Sequence, residues 1–252
     1  MFKRKILSKL EAWKQDERHK PLILRGARQV GKTTIVNEFG SQFDNYLYFN
    51  LEMSESVRLF EMDIPLNDLV NMLFASLGKP QKEGSTLIFI DEIQNSPKTI
   101  ALLRYFYEQR PDLYVIAAGS LLENLVDVNV SFPVGRVMYL ALRPCSFYEF
   151  LGAIGKNNLL TILSQKAEYT IAFHEQLMHQ FNQYTIIGGM PEAVQHYAET
   201  QDIIAIEDVY ETLVQAYKDD SEKYARSNKL TDVVRFILSY GWAFSGETIT
   251  LG

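Results

Sequence analysis

Short apolar runs alternate with longer amphipathic stretches through the first half of the chain. The runs lie at Leu22 to Leu24, Tyr46 to Leu51, Thr86 to Ile90, Leu113 to Ala118 and Val137 to Leu142. They are mostly continuous in hydrophobicity, which is typical of parallel strands that are covered on both faces. The pattern predicts an α/β fold in which a doubly wound parallel sheet of five strands is joined by crossover helices.

Helical periodicity fills the segments between these runs. We predict helices over Lys32 to Phe39, Leu66 to Leu77 and Pro97 to about Gln109. Leu69, Leu73 and Leu77 form one apolar stripe on the second helix, and Pro97 suits the first position of the third. Each helix lies between two strands, as a doubly wound sheet requires.

The pattern changes near Arg143, because β signals fade beyond it and helical periodicity dominates. We predict helices over Phe147 to Ile154, Phe173 to Tyr184, Pro191 to Glu199, Ile203 to Ala225 and Leu230 to Ser239. The chain therefore divides into a sheet-based core over 1–143, a mainly helical domain over 144–240 and the start of a further region over 241–252. The last eight residues resemble a turn that enters a new element, so we expect the chain to be part of a longer protein.

Composition excludes several classes of protein. With 47% apolar residues the chain can bury a substantial core, and 25 basic against 31 acidic residues provide no overall attraction to nucleic acid or anionic membranes. No apolar run approaches the roughly 20 residues that span a bilayer. The single cysteine, Cys145, excludes an internal disulfide and fits a reducing cytosol. We expect a cytoplasmic protein that does not contact membranes.

A glycine-rich segment lies between the first predicted strand and the helix that follows it. Its sequence is Gly26-Ala27-Arg28-Gln29-Val30-Gly31-Lys32-Thr33. Two glycines let the backbone curl so that successive N–H groups point at phosphate oxygens, and the helix adds the positive end of its dipole. We expect Lys32 to reach the β- and γ-phosphates and the Thr33 hydroxyl to coordinate Mg²⁺. Thr34 either binds the α-phosphate or simply extends the helix.

An acidic pair, Asp91-Glu92, follows the four apolar residues Leu87 to Ile90. The carboxyl end of a strand is where open α/β sheets bind ligands. Asp91 is placed to hold Mg²⁺, usually through water, and Glu92 to polarise the water that attacks the γ-phosphate. Alone, the pair could be a polar turn after a strand. Together with the phosphate loop it predicts a site for the hydrolysis of Mg-ATP.

Three other nucleotide-binding classes fit the sequence less well. A GTPase needs an Asn-Lys-x-Asp guanine reader, and the nearest match, Asn228 to Thr231, has threonine in place of the carboxylate. An ABC-type ATPase needs a Leu-Ser-Gly-Gly signature, which the sequence lacks. A phosphotransferase needs phosphate-clamping arginines in its lid, and the stretch 147–224 contains none.

Five segments together resemble prokaryotic AAA+ ATPases in which an AAA domain precedes a DUF4143 domain. They are Leu24 to Thr34, Phe89 to Gln94, Gly119-Ser120, Gly135 to Val137 and Gly188 to Glu192. The resemblance covers nearly the whole chain. It implies a P-loop NTPase core of AAA+ type, a helical lid, and a winged-helix-like region that begins at 241–252 and is followed by the missing DUF4143 region.

The resemblance also implies roles for three residues outside the two motifs. Ser120 matches the polar sensor of the γ-phosphate, with Asn124 as a rival because serine is shorter than the usual residue. Arg136 matches the arginine finger that a subunit supplies to its neighbour, unless it forms a structural ion pair, and Arg143 competes for this role. Pro191 matches the proline that packs near adenine, although the same turn can simply end one helix and begin the next.

These features predict an AAA+ ATPase that binds ATP and Mg²⁺, hydrolyses ATP and couples nucleotide state to movement of the lid and the C-terminal region. A finger implies self-association through the ATPase domain. The alternative is an ATP-dependent switch with negligible turnover: Glu92 favours hydrolysis, whereas a chain without a finger favours the switch. A winged-helix-like region would allow contact with nucleic acid, but no basic strip interleaved with aromatic residues supports it.

Overall fold

Five parallel strands form one sheet within the described part of the chain. The structure, a computed structural model, describes residues 2–119, 133, 135–165, 169–224 and 228–240. The strands are β1 (Leu22–Arg25), β2 (Asn45–Asn50), β3 (Thr86–Asp91), β4 (Leu113–Gly119) and β5 (Met138–Ala141). Their order is β2-β3-β4-β1-β5, and every pairing is parallel. The predicted fold class is therefore confirmed.

Five of the described helices precede β5. They are α1 (Ile6–Gln15), α2 (Lys32–Gly40), α3 (Ser54–Phe60), α4 (Leu66–Ser76) and α5 (Pro97–Gln109). Helices α2, α4 and α5 agree with the predicted ones to within one residue at each end. Helix α3 was not predicted, because seven residues make only two turns and are too few to establish a period.

The other described helices follow β5. They are α6 (Phe147–Ala153), α7 (Asn157–Gln165), α8 (Tyr169–Ala172), α9 (His174–Ile187), α10 (Pro191–Thr200), α11 (Glu207–Tyr224) and α12 (Asn228–Tyr240). The helix predicted from Ile203 begins instead as a 3₁₀ turn over Ile204–Ile206, because the Asp202 side chain accepts a hydrogen bond from the Ile204 N–H and tightens the backbone there. Among the described residues, no helix has the length and apolar character needed to cross a bilayer.

The interior strands are apolar throughout because helices cover both faces of the sheet. Successive residues of β3 point to opposite faces, and all six are buried. Ile88 and Ile90 join the core formed with α4 and α5, whereas Leu87 and Phe89 join the core formed with α1 and α2. Two-sided burial therefore explains why these strands appear in the sequence as continuous apolar runs.

A separate apolar cluster lies among the helices beyond β5. Cys145 and Phe150 pack there with buried residues of α9 and α10, and the Phe2 ring packs against the same cluster. Burial raises the pKa of the Cys145 thiol to about 11, so the side chain behaves as a small apolar group. The residues ahead of α1 are thereby brought next to the helical part of the chain.

Replacing Phe89 by alanine should lower the free energy of unfolding by about 3–5 kcal/mol, since a fully buried ring on an interior strand would leave a cavity. Urea or thermal unfolding measures the change. The matched control is Phe236→Ala: this ring is 52% exposed, and its loss should change stability by less than about 0.5 kcal/mol. Equal losses for the two variants would contradict the position of β3 inside the sheet.

Candidate functional site

The strand order creates a crevice at the carboxyl end of β1. The chain leaves β1 for the far edge of the sheet and later crosses β1 on its way from β4 to β5. Such a reversal of strand order is where open α/β sheets bind ligands. The glycine-rich segment begins at this point, directly after Arg25, and continues into the first turn of α2.

Two glycines of this segment are required by its geometry. A Cβ on Gly26 would lie 2.4 Å from the carbonyl oxygen of Leu142, so a larger residue could not pass the end of β5. Gly31 has φ +89° at the N-cap of α2, in the left-handed region that favours glycine, and its carbonyl accepts the first helical hydrogen bond from the Ile35 N–H. The loop therefore turns tightly and delivers the next residue onto a helix.

Lys32 is buried inside this loop. Its Nζ donates hydrogen bonds to the carbonyl oxygens of Gly26 and Ala27, both at 2.9 Å, and the residue is only 6% exposed. Burial lowers the pKa of Lys32, while the nearby carboxylates of Glu92 and Asp91 partly oppose this effect. A desolvated ammonium whose partners are two neutral carbonyls is well prepared to receive an anion.

Thr33 and Asp91 meet beside the loop, as the proposed metal role requires. The Thr33 Oγ1 donates to the Asp91 Oδ2 at 2.6 Å, and the Glu92 N–H donates to the Asp91 Oδ1 at 3.1 Å. Burial raises the pKa of Asp91, although these hydrogen bonds and Lys32 oppose the change. A hydroxyl and a carboxylate supply the hard oxygens that Mg²⁺ prefers.

The described residues contain no cluster of three or more His, Cys, Asp or Glu side chains that could hold a metal ion by itself. Mg²⁺ usually takes one or two protein ligands and completes its shell with phosphate oxygens and water. The hydroxyl of Thr33 and the carboxylate of Asp91 fit a magnesium ion of that kind.

Glu92 is held in an unusual backbone conformation at the end of β3. Its φ and ψ are +52° and +44°, the left-handed region, which costs a residue with a Cβ about 1 kcal/mol or more. The Gln94 Nε2 donates a hydrogen bond to the Glu92 Oε2, so one carboxylate oxygen has a fixed partner. Gln94 was not singled out in the sequence, because its role depends on the 3₁₀ turn Ile93–Asn95 that folds it back.

A cavity of about 750 Å³ lies over the loop and is large enough for a nucleotide. Its walls include the loop residues Arg28, Gln29, Gly31 to Thr34, and the Glu92 side chain. Other parts of the chain contribute Phe2, Arg4, Glu52, Pro191 and Gln195. The loop and Glu92 thus border the cavity together with residues that are remote in sequence.

The turn before α10 lies against the phosphate loop. A Cβ placed on Gly31 would be 3.9 Å from the Pro191 Cγ, and one on Gly189 would be 2.5 Å from the Cys145 carbonyl oxygen. Gly188 has φ +72°, which ends α9, and Pro191 begins α10. The turn both ends and restarts a helix, and it borders the cavity.

Arg136 lies at the amino ends of the strands, whereas the loop lies at their carboxyl ends. Met138, two residues later, pairs with Leu22 at the start of β1, and the Arg136 Nε donates to Glu108 Oε1 at 2.9 Å on the surface. Arg143 follows β5 and lies, like the loop, at the carboxyl ends of the strands. The structure therefore separates two residues that compete for one role. Ser120 and Asn124 lie outside the described residues.

Comparison with known protein families gives a match over the part of the chain that contains both the sheet and the loop. A family model described as an AAA domain matches residues 18–151, just over half of the chain, and this range contains all five strands. The chain belongs to the AAA domain family. Membership of this family supports a nucleotide-binding ATPase, and to that extent the prediction of an AAA+ ATPase is confirmed.

A second model, described as a domain of unknown function (DUF8612), matches residues 178–246 of this AAA domain protein. A search of curated proteins found no match. Among solved structures, PCH-2 of C. elegans is similar with 12% identity and a TM-score of 0.41, over 94% of this chain and 68% of that one. Drosophila ORC bound to DNA is similar with 14% identity and a TM-score of 0.42, over 97% and 68%. Similarity at this level carries no information on activity.

The substitution Asp91→Asn should raise the melting temperature of the nucleotide-free protein at pH 7 and weaken Mg²⁺-dependent ATP binding. The pKa of Asp91 is higher in the folded chain than its unfolded value of about 3.9. The stabilisation that comes from burying the protonated Asp91 is complete below the unfolded pKa and is lost as pH rises through the folded pKa. At neutral pH the buried charge is therefore a net cost to the stability of the folded chain. Asparagine removes that charge.

Thermal unfolding without nucleotide and titration with ATP and Mg²⁺ measure the two effects of Asp91→Asn. Asp112→Asn is the control of opposite sign, since hydrogen bonds from Arg110 lower the pKa of Asp112 and the change should not raise the melting temperature. A melting temperature of Asp91→Asn at or below that of the wild type would contradict the cost assigned to the buried carboxylate.

Proposed function

We propose that this AAA domain protein binds Mg-ATP at the loop 26–34 and hydrolyses it to ADP and phosphate. The observation that carries the proposal is the 2.6 Å hydrogen bond between Thr33 and Asp91, beside the buried Lys32. It joins the two motifs at one point, as a shared magnesium site requires. Glu92 borders the same cavity, and we assign to it the water that attacks the terminal phosphate.

Each residue of the proposed site has a stated task. Lys32 exchanges its two carbonyl partners for oxygens of the β- and γ-phosphates, and the backbone of Ala27 to Gly31 surrounds the phosphates. Thr33 and Asp91 would hold Mg²⁺, which would neutralise phosphate charge. Thr34, exposed in the first turn of α2, binds the α-phosphate.

Glu92 acts as the general base in this proposal. Gln94 already donates to its Oε2, so the Oε1 is the oxygen that accepts a proton from the attacking water. Such proton transfer accelerates reactions by roughly 10²–10⁴-fold. Ser120, which lies outside the described residues, is proposed as the polar group that senses the γ-phosphate.

The adenine is proposed to lie beside the Pro191 turn. Phe2 and Pro191 offer apolar surface to the cavity, and Gln195 offers hydrogen-bonding groups. The contact of the Pro191 turn with the loop supports a coupling of nucleotide state to the helices that follow. We accordingly propose a core over 1–143, a helical lid over 144–240, and a further region from 241 with a DUF4143 domain beyond, in a cytoplasmic protein.

Arg136 is proposed as a finger that completes the site of a neighbouring subunit. Its position supports this role in trans, because the four residues of β5, roughly 13 Å at 3.3 Å per residue, separate it from the end of its own sheet that carries the loop. Arg143 lies at the end of the strands that carries the loop and is the competing candidate for the finger. The alternative function is a switch with negligible turnover, which the ion pair of Arg136 with Glu108 favours when no neighbour is present.

Lys32→Ala should weaken ATP binding at least tenfold, because a buried cation that faces phosphate is lost. Glu92→Gln should bind ATP as tightly as the wild type yet release phosphate about 10²–10³-fold more slowly, because the base is lost. Titration with ATP and a phosphate-release assay measure these effects. Lys9→Ala, on an exposed lysine of α1, is the control and should change neither value. If wild type binds ATP but releases phosphate no faster than Glu92→Gln, the hydrolysis proposal fails and the switch stands.

Mixing Glu92→Gln with Arg136→Ala subunits should restore part of the activity, because each mixed interface can combine an intact base with an intact finger. Phosphate release at several mixing ratios measures the recovery. Arg104→Ala is the matched control, since Arg104 also donates to Glu108 Oε1 at 2.9 Å and its loss removes a pair with the same carboxylate. The finger role is excluded if no ratio restores activity, or if Arg104→Ala lowers turnover as much as Arg136→Ala.

A further inference from the structure

Arg4 is a buried arginine that joins three separate parts of the chain. It lies just before α1, and its side chain is 8% exposed. Its Nη1 donates to the Val30 carbonyl in the phosphate loop at 3.3 Å, and its Nη2 donates to the Arg143 carbonyl after β5 at 2.7 Å. Its Nε donates to the Glu149 Oε1 in the first turn of α6 at 3.0 Å. A planar guanidinium can serve partners in three directions, which a lysine ammonium on a flexible stem does less well.

The carboxylate of Glu149 is fully engaged in the same contact region. Its Oε1 also accepts from the Lys5 N–H at 2.9 Å, and its Oε2 accepts from the Ser146 N–H at 2.8 Å and the Ser146 hydroxyl at 3.0 Å. Burial acts to raise the pKa of Glu149, but the hydrogen bonds from Ser146, Lys5 and Arg4 outweigh it and hold the pKa below its usual value. The pair is therefore ionised at neutral pH.

The two partners differ in their relation to the cavity. Arg4 is one of its wall residues, and a Cβ on Gly31 would lie 4.0 Å from the Arg4 Nη1. Among the described residues, Glu149 is not part of the wall; it belongs to the capping box that begins α6. A change at Glu149 can therefore reach a bound nucleotide through Arg4.

We infer that Arg4 is a positioning residue that couples the phosphate loop to helix α6 through its ion pair with Glu149. Arg4 supports the loop backbone at Val30, and Glu149 and the Arg143 carbonyl hold the guanidinium in the orientation that does so. Coupling of this kind is reciprocal, so a group that fixes Arg4 also contributes to ATP affinity, and bound ATP alters the hold on α6. The inference rests on the proposed ATP site.

A double-mutant cycle tests the coupling with Arg4→Ala, Glu149→Gln and the combined variant. Glutamine keeps one acceptor oxygen, and the Ser146 hydroxyl still accepts from the backbone N–H of residue 149, so this variant should disturb the fold less than Arg4→Ala. Titration with a non-hydrolysable ATP analogue and Mg²⁺ measures affinity, and thermal unfolding without nucleotide measures stability. Where turnover is measurable, kcat and KM are compared for the same variants.

Arg4→Ala is expected to weaken binding of the analogue by tenfold or more, and Glu149→Gln by about three- to tenfold. The combined variant should bind no more weakly than Arg4→Ala, because the two residues act in series. Arg4→Lys should resemble Arg4→Ala to within about threefold. In turnover the loss should appear in KM, with kcat changed less than about threefold.

The ion pair of Arg110 with Asp112 supplies the control. Its N···O distance is similar, 2.7 Å, and it lies just before β4, at the end of the strands opposite the loop. Arg110→Ala and Asp112→Asn should leave the affinity for the analogue unchanged.

Three results would overturn the coupling while leaving the ATP site intact. The first is variants that melt earlier but bind the analogue like the wild type, which means a purely structural role. The second is a Glu149→Gln variant with unchanged affinity beside a weakened Arg4→Ala. The third is a combined loss equal to the product of the single losses, which means independent action. A wild-type chain that binds no ATP would overturn both this inference and the proposed function.

Discussion

The hydrogen bond from the Thr33 hydroxyl to the Asp91 carboxylate joins the first turn of α2, just after the loop that follows β1, to the end of β3. In the sheet β4 lies between β1 and β3, so the bond depends on three parallel strands that bring their carboxyl ends together. The two-sided apolar character of β3 keeps that strand inside the sheet, and Gly26 lets the chain turn directly after β1. The hydrophobic core therefore sets the geometry of a polar contact that lies outside it.

The site also concentrates charge that the folded chain alone does not favour. Lys32 is desolvated and has a lowered pKa, and Asp91 is desolvated and has a raised one. Glu92 has a left-handed backbone conformation. Each feature costs stability in the nucleotide-free state, and each is a form of preorganisation that favours a bound anion with its cation. A site of this kind is expected to lower the stability of the folded protein, because the features that serve function are not those that favour folding.

Residues far from the loop in sequence hold it from the other side. Arg4 precedes the first strand, and Pro191 begins α10, yet both border the cavity. The Pro191 turn packs on Gly31, and Arg4 joins the loop to α6. The helical region thus contacts the loop by two routes, one apolar and one ionic, which gives nucleotide binding a direct physical connection to the elements after β5.

The sequence by itself determined the sheet, the phosphate loop and the acidic pair, because these depend on local order. A glycine loop between a strand and a helix is contiguous, and Asp91-Glu92 directly follows an apolar run. Short helices such as α3 were missed because they establish no period. The 3₁₀ turn before α11 was missed because a single hydrogen bond from the Ile204 N–H to the Asp202 side chain redirects the backbone.

Only the tertiary structure decided which distant residues meet. It placed Arg136 at the end of the strands opposite the loop and Arg143 beside the loop. The two residues are only seven positions apart, but strand β5 carries the chain from one end of the sheet to the other. It also brought Arg4 and Gln94 to the site, through a long-range ion pair and a local turn. The physical reason is that hydrophobic periodicity specifies which face of an element is buried, whereas strand order and the packing of the N-terminal segment depend on contacts between residues far apart in the sequence, such as Leu22 with Met138 and Arg4 with Glu149.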